Sequence, residues 1–449
     1  MGQKGNQLPQ AFIEQTKKLM GEERFARYLS AFDEEPPVSI RLNPGKVKSE
    51  EIRVKSEEIR VKSEELRVKS EEFAGATDYC VSGAASKESL LTHHSSLITS
   101  EVPWCRGGFY LPQRPAFTFD PLLHAGCYYV QEAASMFLDE VLRQHLPARP
   151  LTMLDLCAAP GGKSTLALAA LPEGSVLFAN EPMRQRASIL LENISKWGAE
   201  RCHVTSNFPA DYRKTKMLFD VILCDVPCSG EGMFRKDEQT IGEWSPQQVE
   251  RCQQLQRQIV TDAWQCLSPG GLLVYSTCTL NTHENEENVM WLLQQFADAT
   301  PLTVDTQADW HISSSLLPAC TAPVYRFIPG ITQSEGLFMC TFRKAGEPRG
   351  KRATAAPPSL HVLTPPFTLS NTTEATAELT YAQAISYLRG EALVLPPSVP
   401  RGMVIVTFMG HALGPVKNIG TRANNLYPKE WRIKSTHFPQ DYEAILRHT

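Results

Sequence analysis

Leu154-Asp-Leu-Cys-Ala-Ala-Pro-Gly-Gly-Lys-Ser-Thr165 decides how the rest of this chain is read. Residues 151–156 form a short apolar run of strand length, and residues 165–171 open a helical one. A strand that breaks into a turn of small residues and then a helix is the ligand cradle of a doubly wound α/β sheet. Gly161 and Gly162 have no Cβ, so a ligand can approach the backbone, and the helix start behind them offers free N–H groups. The ending Gly162-Lys163-Ser164 imitates a phosphate-binding loop. That motif requires glycine at position 157, which is Cys157 here. Taken alone, the stretch could still be an ordinary strand–turn–helix.

Its surroundings favour the cradle. Val176-Leu-Phe-Ala-Asn180 is a second apolar run, and Glu181 follows it at the spacing of an acid that binds a ribose diol. Phe219-Asp-Val-Ile-Leu-Cys224 runs into Asp225-Val-Pro-Cys-Ser-Gly-Glu-Gly232. Gly271-Leu-Leu-Val-Tyr275 runs into Ser276-Thr-Cys-Thr-Leu280. Open α/β sheets bind ligands at the carboxyl ends of strands, where these turns fall.

A chain of 449 residues is long enough for two or three domains, and a hydrophobic content of 42% supports globular cores. No apolar run is long enough to cross a membrane, and the first residues lack the apolar core of a signal peptide. The 12 cysteines are scattered without metal-type pairs, so no metal is expected. Cys224 and Cys340 sit in apolar strands and read as reduced core residues, which suits a cytoplasmic protein. A net charge of −4 excludes indiscriminate coating of nucleic acid, so any RNA contact must be a local basic surface.

Three motifs, Cys157-Ala-Ala-Pro-Gly-Gly-Lys163, Asp225-Val-Pro-Cys-Ser-Gly230 and Tyr275-Ser-Thr-Cys-Thr279, resemble the signatures of the Sun-type RNA cytosine C5-methyltransferases. The flanks are similar to the RsmF-like branch, which acts on ribosomal RNA. The likeness runs from Leu8 to Lys434 apart from one insert. It implies an α/β fold: a Rossmann-like class I S-adenosylmethionine-dependent methyltransferase core, a smaller α+β N-terminal domain and a PUA-like C-terminal RNA-binding domain. The expected domains are 1–45 with 101–147, an insert at 46–100, the catalytic core at 148–344, a linker at 345–366, and the PUA-like domain at 367–449. The resemblance also implies S-adenosyl-L-methionine as cofactor and RNA as partner, ribosomal RNA or a ribosomal subunit. A monomer without membrane attachment is expected. The same chemistry on transfer RNA is the near alternative, and a non-catalytic RNA-binding assembly factor is the distant one. A DNA methyltransferase fits less well, since in those enzymes the Pro-Cys cysteine attacks.

Residues 8–32 have helical spacing, and Pro36-Pro37 ends them. Val38-Ser-Ile-Arg-Leu-Asn-Pro44 reads as a strand, with Arg41 structural or RNA-positioning. From Lys46 to Phe73 a seven-residue unit (KVKSEEI, RVKSEEI, RVKSEEL, RVKSEEF) repeats. Its apolar residues alternate five and two apart, where a coiled-coil seam needs three and four. With acids balancing bases, it reads as a tandem duplication without catalytic role. Residues 74–100, rich in Ser, Ala and Thr, read as more of the insert. In Gly126-Cys-Tyr-Tyr-Val-Gln131, the residues Tyr128, Tyr129 and Gln131 read as core or docking residues.

Residues 345–366 have linker composition, rich in Pro, Ala, Lys and Arg. Beyond position 400 there are seven Lys/Arg against three Asp/Glu. Lys417, Arg422, Lys429 and Arg432, interleaved with Tyr427 and Trp431, suit phosphate contact and base stacking. The PUA-like resemblance supports that assignment.

Cytosine carbon 5 is a poor nucleophile. A thiolate that adds to carbon 6 turns the ring into an enamine, whose carbon 5 can accept a methyl group. Cys228 and Cys278 both qualify by chemistry. The resemblance assigns attack to Cys278, and breakdown of the adduct and product release to Cys228. Asp225 could hydrogen-bond the ring N3 and exocyclic amine and lie near the methionine part of the cofactor. For the cofactor, the cradle is Cys157, Ala158, Ala159, Pro160, Gly161, Gly162 and Lys163, with Lys163 reaching active-site groups too. Glu181 would take the ribose hydroxyls, Arg186 would support the site, and Asn207 would meet the adenine amine. Pro329-Gly330 departs from relatives that carry His after the proline.

Overall fold

The computed structural model describes residues 8–47, 100–347, 353–367 and 375–435, with 439, 442 and 444–446 besides. Residues 48–99, which hold all but the start of the heptapeptide repeat and its Ser-rich continuation, lie outside them.

Residues 8–32 form two helices, Gln10–Met20 and Glu22–Ser30, interrupted at Gly21. Their apolar sides close over Phe234, Trp244 and Ile328. A four-stranded antiparallel sheet follows in the order β2-β3-β1-β4. Its strands are β1 (Val38–Leu42), β2 (Ser100–Glu101), β3 (Gly108–Leu111) and β4 (Tyr128–Val130).

The central sheet contains β5 (Thr152–Asp155), β6 (Val176–Asn180), β7 (Cys202–Thr205), β8 (Phe219–Asp225), β9 (Leu267–Thr277), β10 (Ala299–Leu302), β11 (Tyr325–Phe327) and β12 (Leu337–Lys344). Its order is β10-β12-β9-β8-β5-β6-β7, with β11 paired to β12. From β7 to β9 neighbouring strands are parallel, while β10, β11 and β12 pair antiparallel. Helices cover both faces, so β5 and β6 are buried along their whole length and read as unbroken apolar runs. Strand order reverses beside β5, which puts the ligand crevice at the carboxyl ends of β5 and β8.

The C-terminal domain is a sheet in the order β13-β14-β15-β16, made of β13 (Ala375–Glu378), β14 (Gly402–Phe408), β15 (His411–Asn418) and β16 (Ala423–Asn425). The Tyr381–Leu388 helix packs on it. Thr380 opens that helix: its hydroxyl accepts the Gln383 N–H at 3.3 Å, while the Gln383 side chain accepts the Thr380 N–H at 3.0 Å. The domain shares a hydrophobic core with the N-terminal sheet, in which Ile40, Leu42 and Phe109 join Leu388, Val404 and Val406.

Two expectations need correction. The stretch expected to be a free linker lies along the edge of the central sheet: Ser206 N–H donates to His361 O at 3.0 Å and Leu363 N–H to Val204 O at 2.9 Å. An edge strand offers unpaired backbone groups, and this strap satisfies them. The expected start of the insert, Lys46 with Val47, is part of the fold. Lys46 Nζ donates to Ala125 O at 2.6 Å and Lys196 O at 2.7 Å, and Val47 is buried.

Arg41 is structural. Its buried guanidinium donates to Gln131 Oε1 at 2.9 Å and Thr165 Oγ1 at 2.6 Å, and lies 4.6 Å from the Trp197 ring centre. It thus ties β1 to the start of the helix behind the cradle. Burial lowers its pKa to about 10.

Candidate active site

The cradle turn leaves β5 and enters the Gly162–Ala170 helix. Its backbone is held from outside: Ala158 N–H donates to Asn180 O at 2.8 Å, and Asn193 Nδ2 to Pro160 O at 2.8 Å. Ser164, the residue a phosphate loop would leave free, donates its hydroxyl to Asp155 Oδ2 at 2.6 Å. Burial, helped by the nearby Asp225 charge, pushes the Asp155 carboxyl up to about 7 against the Ser164 hydrogen bond. Sequence reasoning passed over Asp155, whose only signal was an acid inside an otherwise apolar strand.

Glu181 follows β6 and is buried. Its Oε1 accepts the Met183 N–H at 3.0 Å. Among the described residues its Oε2 has no hydrogen-bond partner, although Arg186 Nη1 stands 3.2 Å away as an ion-pair partner. A buried carboxylate oxygen with spare acceptor capacity fits a ribose hydroxyl. Arg186 Nη2 also donates to Ala159 O at 2.9 Å, joining Glu181 to the cradle.

Asn207 has a task that the sequence did not show. Its Oδ1 accepts the His361 N–H at 2.9 Å and its Nδ2 donates to His361 O at 3.2 Å. Both ends of the amide grip the strap. Beside this edge stand Met183, 62% exposed, and Phe208, 66% exposed, two large apolar side chains facing solvent.

At the carboxyl ends of β8 and β9 the chemistry-bearing groups converge. Cys228 Sγ lies 3.1 Å from Cys278 Sγ. Hydrogen bonding to Cys278 and burial push the Cys228 thiol well up, and either sulfur can donate in the contact between them. Asp225 Oδ2 accepts Lys163 Nζ at 2.9 Å and Oδ1 accepts Ser276 Oγ at 2.6 Å. Burial acts to lower the Lys163 pKa, but the charge and hydrogen bond of Asp225, with Cys278 and Asp155 nearby, outweigh it and the net shift is upward, so the ammonium stays charged. The Asp225 side chain remains 30% exposed, and a carboxylate has lone pairs left for a ligand after two donors.

The turn after Cys278 is braced from beneath. Arg326 and Glu286 form a fully buried ion pair, and Arg326 Nη1 donates to Leu280 O at 2.7 Å. Gly232 N–H donates to Cys278 O at 2.7 Å, an approach only glycine allows, since a Cβ there would stand 2.5 Å from that oxygen. Gly330 explains the missing histidine. Its φ is +79°, and a Cβ would fall 2.3 Å from Arg27 O, so the packed Glu22–Ser30 helix excludes any side chain.

The C-terminal aromatic residues are also corrected. Tyr427 is 2% and Trp431 8% exposed, and both belong to the domain core, so neither presents a face to a base. Arg432 is half-buried and donates to Tyr427 O at 3.3 Å. Lys417, Arg422 and Lys429 are exposed.

Strand order, cradle and buried ribose-type acid together define a Rossmann-like methyltransferase domain flanked by two smaller domains. Residues 144–343 match the profile of the family described as 16S rRNA methyltransferase RsmB/F. The RsmF N-terminal domain profile matches 8–85 and 83–133, and the RsmF PUA domain profile matches 374–433. Among similar proteins, the ribosomal RNA small subunit methyltransferase F of Pectobacterium atrosepticum is 36% identical over 253 residues, 55% of this chain and 51% of that protein. The protein of the same name from Cronobacter sakazakii is 34% identical over 309 residues, 66% of this chain and 61% of that one. The chain thus spans about half the length of the first of these relatives. A methyltransferase homolog from Pyrococcus horikoshii has the same fold, with a TM-score of 0.54 at 24% identity over 75% of this chain and all of that one. The P. horikoshii NSun6 structure with SFG has a TM-score of 0.55 at 18% identity, over 76% of this chain and 99% of that one.

Proposed function

We propose that this protein methylates carbon 5 of a cytosine in small-subunit ribosomal RNA, in the cytoplasm, with S-adenosyl-L-methionine as donor. The observation that carries the proposal is the pair of thiols 3.1 Å apart at the ends of adjacent strands, beside the Asp225–Lys163 ion pair. A binding module gains nothing from such a pair. Covalent attack followed by release needs both.

The cofactor would rest on the 157–163 turn, with its ribose on Glu181 and its purine between Met183 and Phe208, whose exposure such a role would explain. When bound, it supplies an electrophilic methyl group. The chain's own residues do the rest. Cys278, ionised, adds to carbon 6. Asp225 hydrogen-bonds the polar edge of the ring, and Lys163 holds Asp225 in place. After transfer, Cys228 gives its own proton to solvent, and the resulting thiolate takes the proton from carbon 5. The C–H electron pair restores the C5–C6 double bond, and the C6–S bond breaks with its pair returning to Cys278. Once Cys278 is bonded to carbon its negative charge is gone, and one of the influences that kept Cys228 protonated goes with it.

We propose that RNA approaches over the N-terminal sheet. A cavity of about 590 Å³ between the N-terminal sheet and the chain beyond Cys228 is lined, among others, by Ser39, Arg114, Gln131 and Lys236. A base entering from structured RNA must be unstacked, at a cost of a few kcal/mol. The test is bisulfite sequencing of ribosomal and transfer RNA from a strain lacking the gene. Loss of one ribosomal signal is expected. Loss of a transfer-RNA signal alone would move the substrate, and loss of neither would remove the activity.

A further inference from the structure

Each cysteine turn is held by a carboxylate from the other turn. Glu231, just downstream of Cys228, is 2% exposed, and its Oε2 accepts the N–H groups of Leu280 at 2.8 Å and Asn281 at 2.9 Å, just beyond Cys278. Its Oε1 accepts Trp244 Nε1 at 3.0 Å. Glu284, downstream of Cys278 and fully buried, accepts the N–H of Ser229, the neighbour of Cys228, at 3.0 Å. Gln256 donates through one nitrogen to Glu284 Oε2 at 2.6 Å and to Pro227 O at 2.8 Å, so both sides of Cys228 are fixed. Asn281 Nδ2 joins the two acids, at 3.0 Å from Glu231 Oε1 and 2.9 Å from Glu284 Oε1.

Burying two carboxylates costs several kcal/mol unless hydrogen bonds compensate it. Here they do, but the bonds cross between the turns. They fix the distance between the turns rather than the shape of either one. We propose that Glu231 and Glu284 are positioning residues that hold Cys228 in register with an adduct carried by Cys278. The proposal rests on the reading above, in which Cys278 attacks and Cys228 serves release. Attack uses Cys278 alone. Release uses both sulfurs, so loosening the crossed bonds slows release more than attack.

Glu284→Gln keeps the shape but replaces one accepting oxygen with an NH2 group that faces donors from Gln256, Asn281 or Ser229. With S-adenosylmethionine and small-subunit ribosomal RNA, release should slow about tenfold, as for a small misplacement of a reacting group. A protein–RNA complex that survives denaturing gels should therefore build up, and vanish when Cys278→Ala is added. Asn281→Ala, at a half-buried position, is a milder variant with the same expected sign, and it decides the matter if Glu284→Gln does not fold. Cys228→Ala on the same RNA is the reference. If it traps RNA while the folded clamp variants lose activity without trapping, the clamp is only structural and the proposal is overturned. If Cys228→Ala itself fails to trap, the order of the cysteines is wrong and the proposal falls with it.

Discussion

Lys163 Nζ stands 2.9 Å from Asp225 Oδ2, joining the cradle after β5 to the cysteine-bearing turn at the end of β8 across the point where strand order reverses. Each partner belongs to a different half of the site. Lys163→Met should therefore weaken both halves. It leaves Asp225 without its cation and frees the carboxylate to turn away from the base. We expect the rate of methyl transfer to fall roughly a hundredfold, the range for losing one electrostatic contact to the reacting centre. Single-turnover rates with saturating RNA and cofactor check this. An unchanged rate would assign Lys163 to packing alone.

The two thiols should differ in what their loss leaves behind. Cys278→Ala cannot form the adduct, so it should neither methylate nor trap RNA. Cys228→Ala should attack, transfer the methyl group and then stall, leaving a covalent protein–RNA complex on denaturing gels. The reverse pattern would falsify the assignment and make Cys228 the nucleophile.

Asp155 gives stability a pH dependence. Its carboxyl moves from an ordinary 3.8 to about 7 in the folded chain. A group raised in this way contributes its full stability below about pH 4, and that contribution is lost as pH climbs towards 7. Asp155→Asn keeps an oxygen for Ser164 and cannot ionise. Relative to wild type, its melting temperature should rise steadily between about pH 4 and pH 7. A difference that stays flat across that window would show that Asp155 does not titrate there.

In the C-terminal domain, charge and core should separate. Reversing Lys417, Arg422 and Lys429 to Glu should weaken RNA binding and flatten its salt dependence without lowering the melting temperature. Trp431→Ala should act the other way, costing about 3–5 kcal/mol of stability as a buried aromatic lost from a core. Filter binding at several salt concentrations, read beside thermal melts, checks both. Loss of RNA affinity in a fully stable Trp431→Ala protein would restore the stacking role.

Removing residues 48–73 should leave melting and methylation close to wild type, since the repeat has neither a seam nor net charge. A cut that also takes Lys46 should destabilise the protein by about 1–3 kcal/mol, because the Ala125 and Lys196 carbonyls lose their donor. A stable but inactive 48–73 deletion would give the repeat a function.

What could be seen in the sequence follows from which forces leave a local trace. The β5 and β6 strands are buried on both faces, so they appear as apolar runs, and the turns after them were placed by the same pattern. Cys228, Cys278 and Asp225 were visible because each follows such a strand. The partners of Glu284 were not: Ser229 lies 55 residues away, and an acid at a helix start already has a local explanation in the helix dipole. Tyr427 and Trp431 misled because basic residues between aromatic ones look alike on a surface and above a core. Packing against Phe367 and Tyr387 decides for the core. The strap was invisible for another reason. It pairs through backbone atoms, which carry no residue signature, and its Pro and Ala content suits a linker equally well.

That strap has a consequence for how the chain is made. β7 is the last strand on its side of the sheet, yet the backbone that covers it comes from residues 361–363, after the whole central domain. A ribosome delivers β12 before it delivers the cover. Until then β7 is an open template for pairing with another chain. A fragment cut at Lys344 would keep that exposed edge permanently, so the smallest well-behaved piece of the protein extends past Leu363, beyond the end of its last central strand.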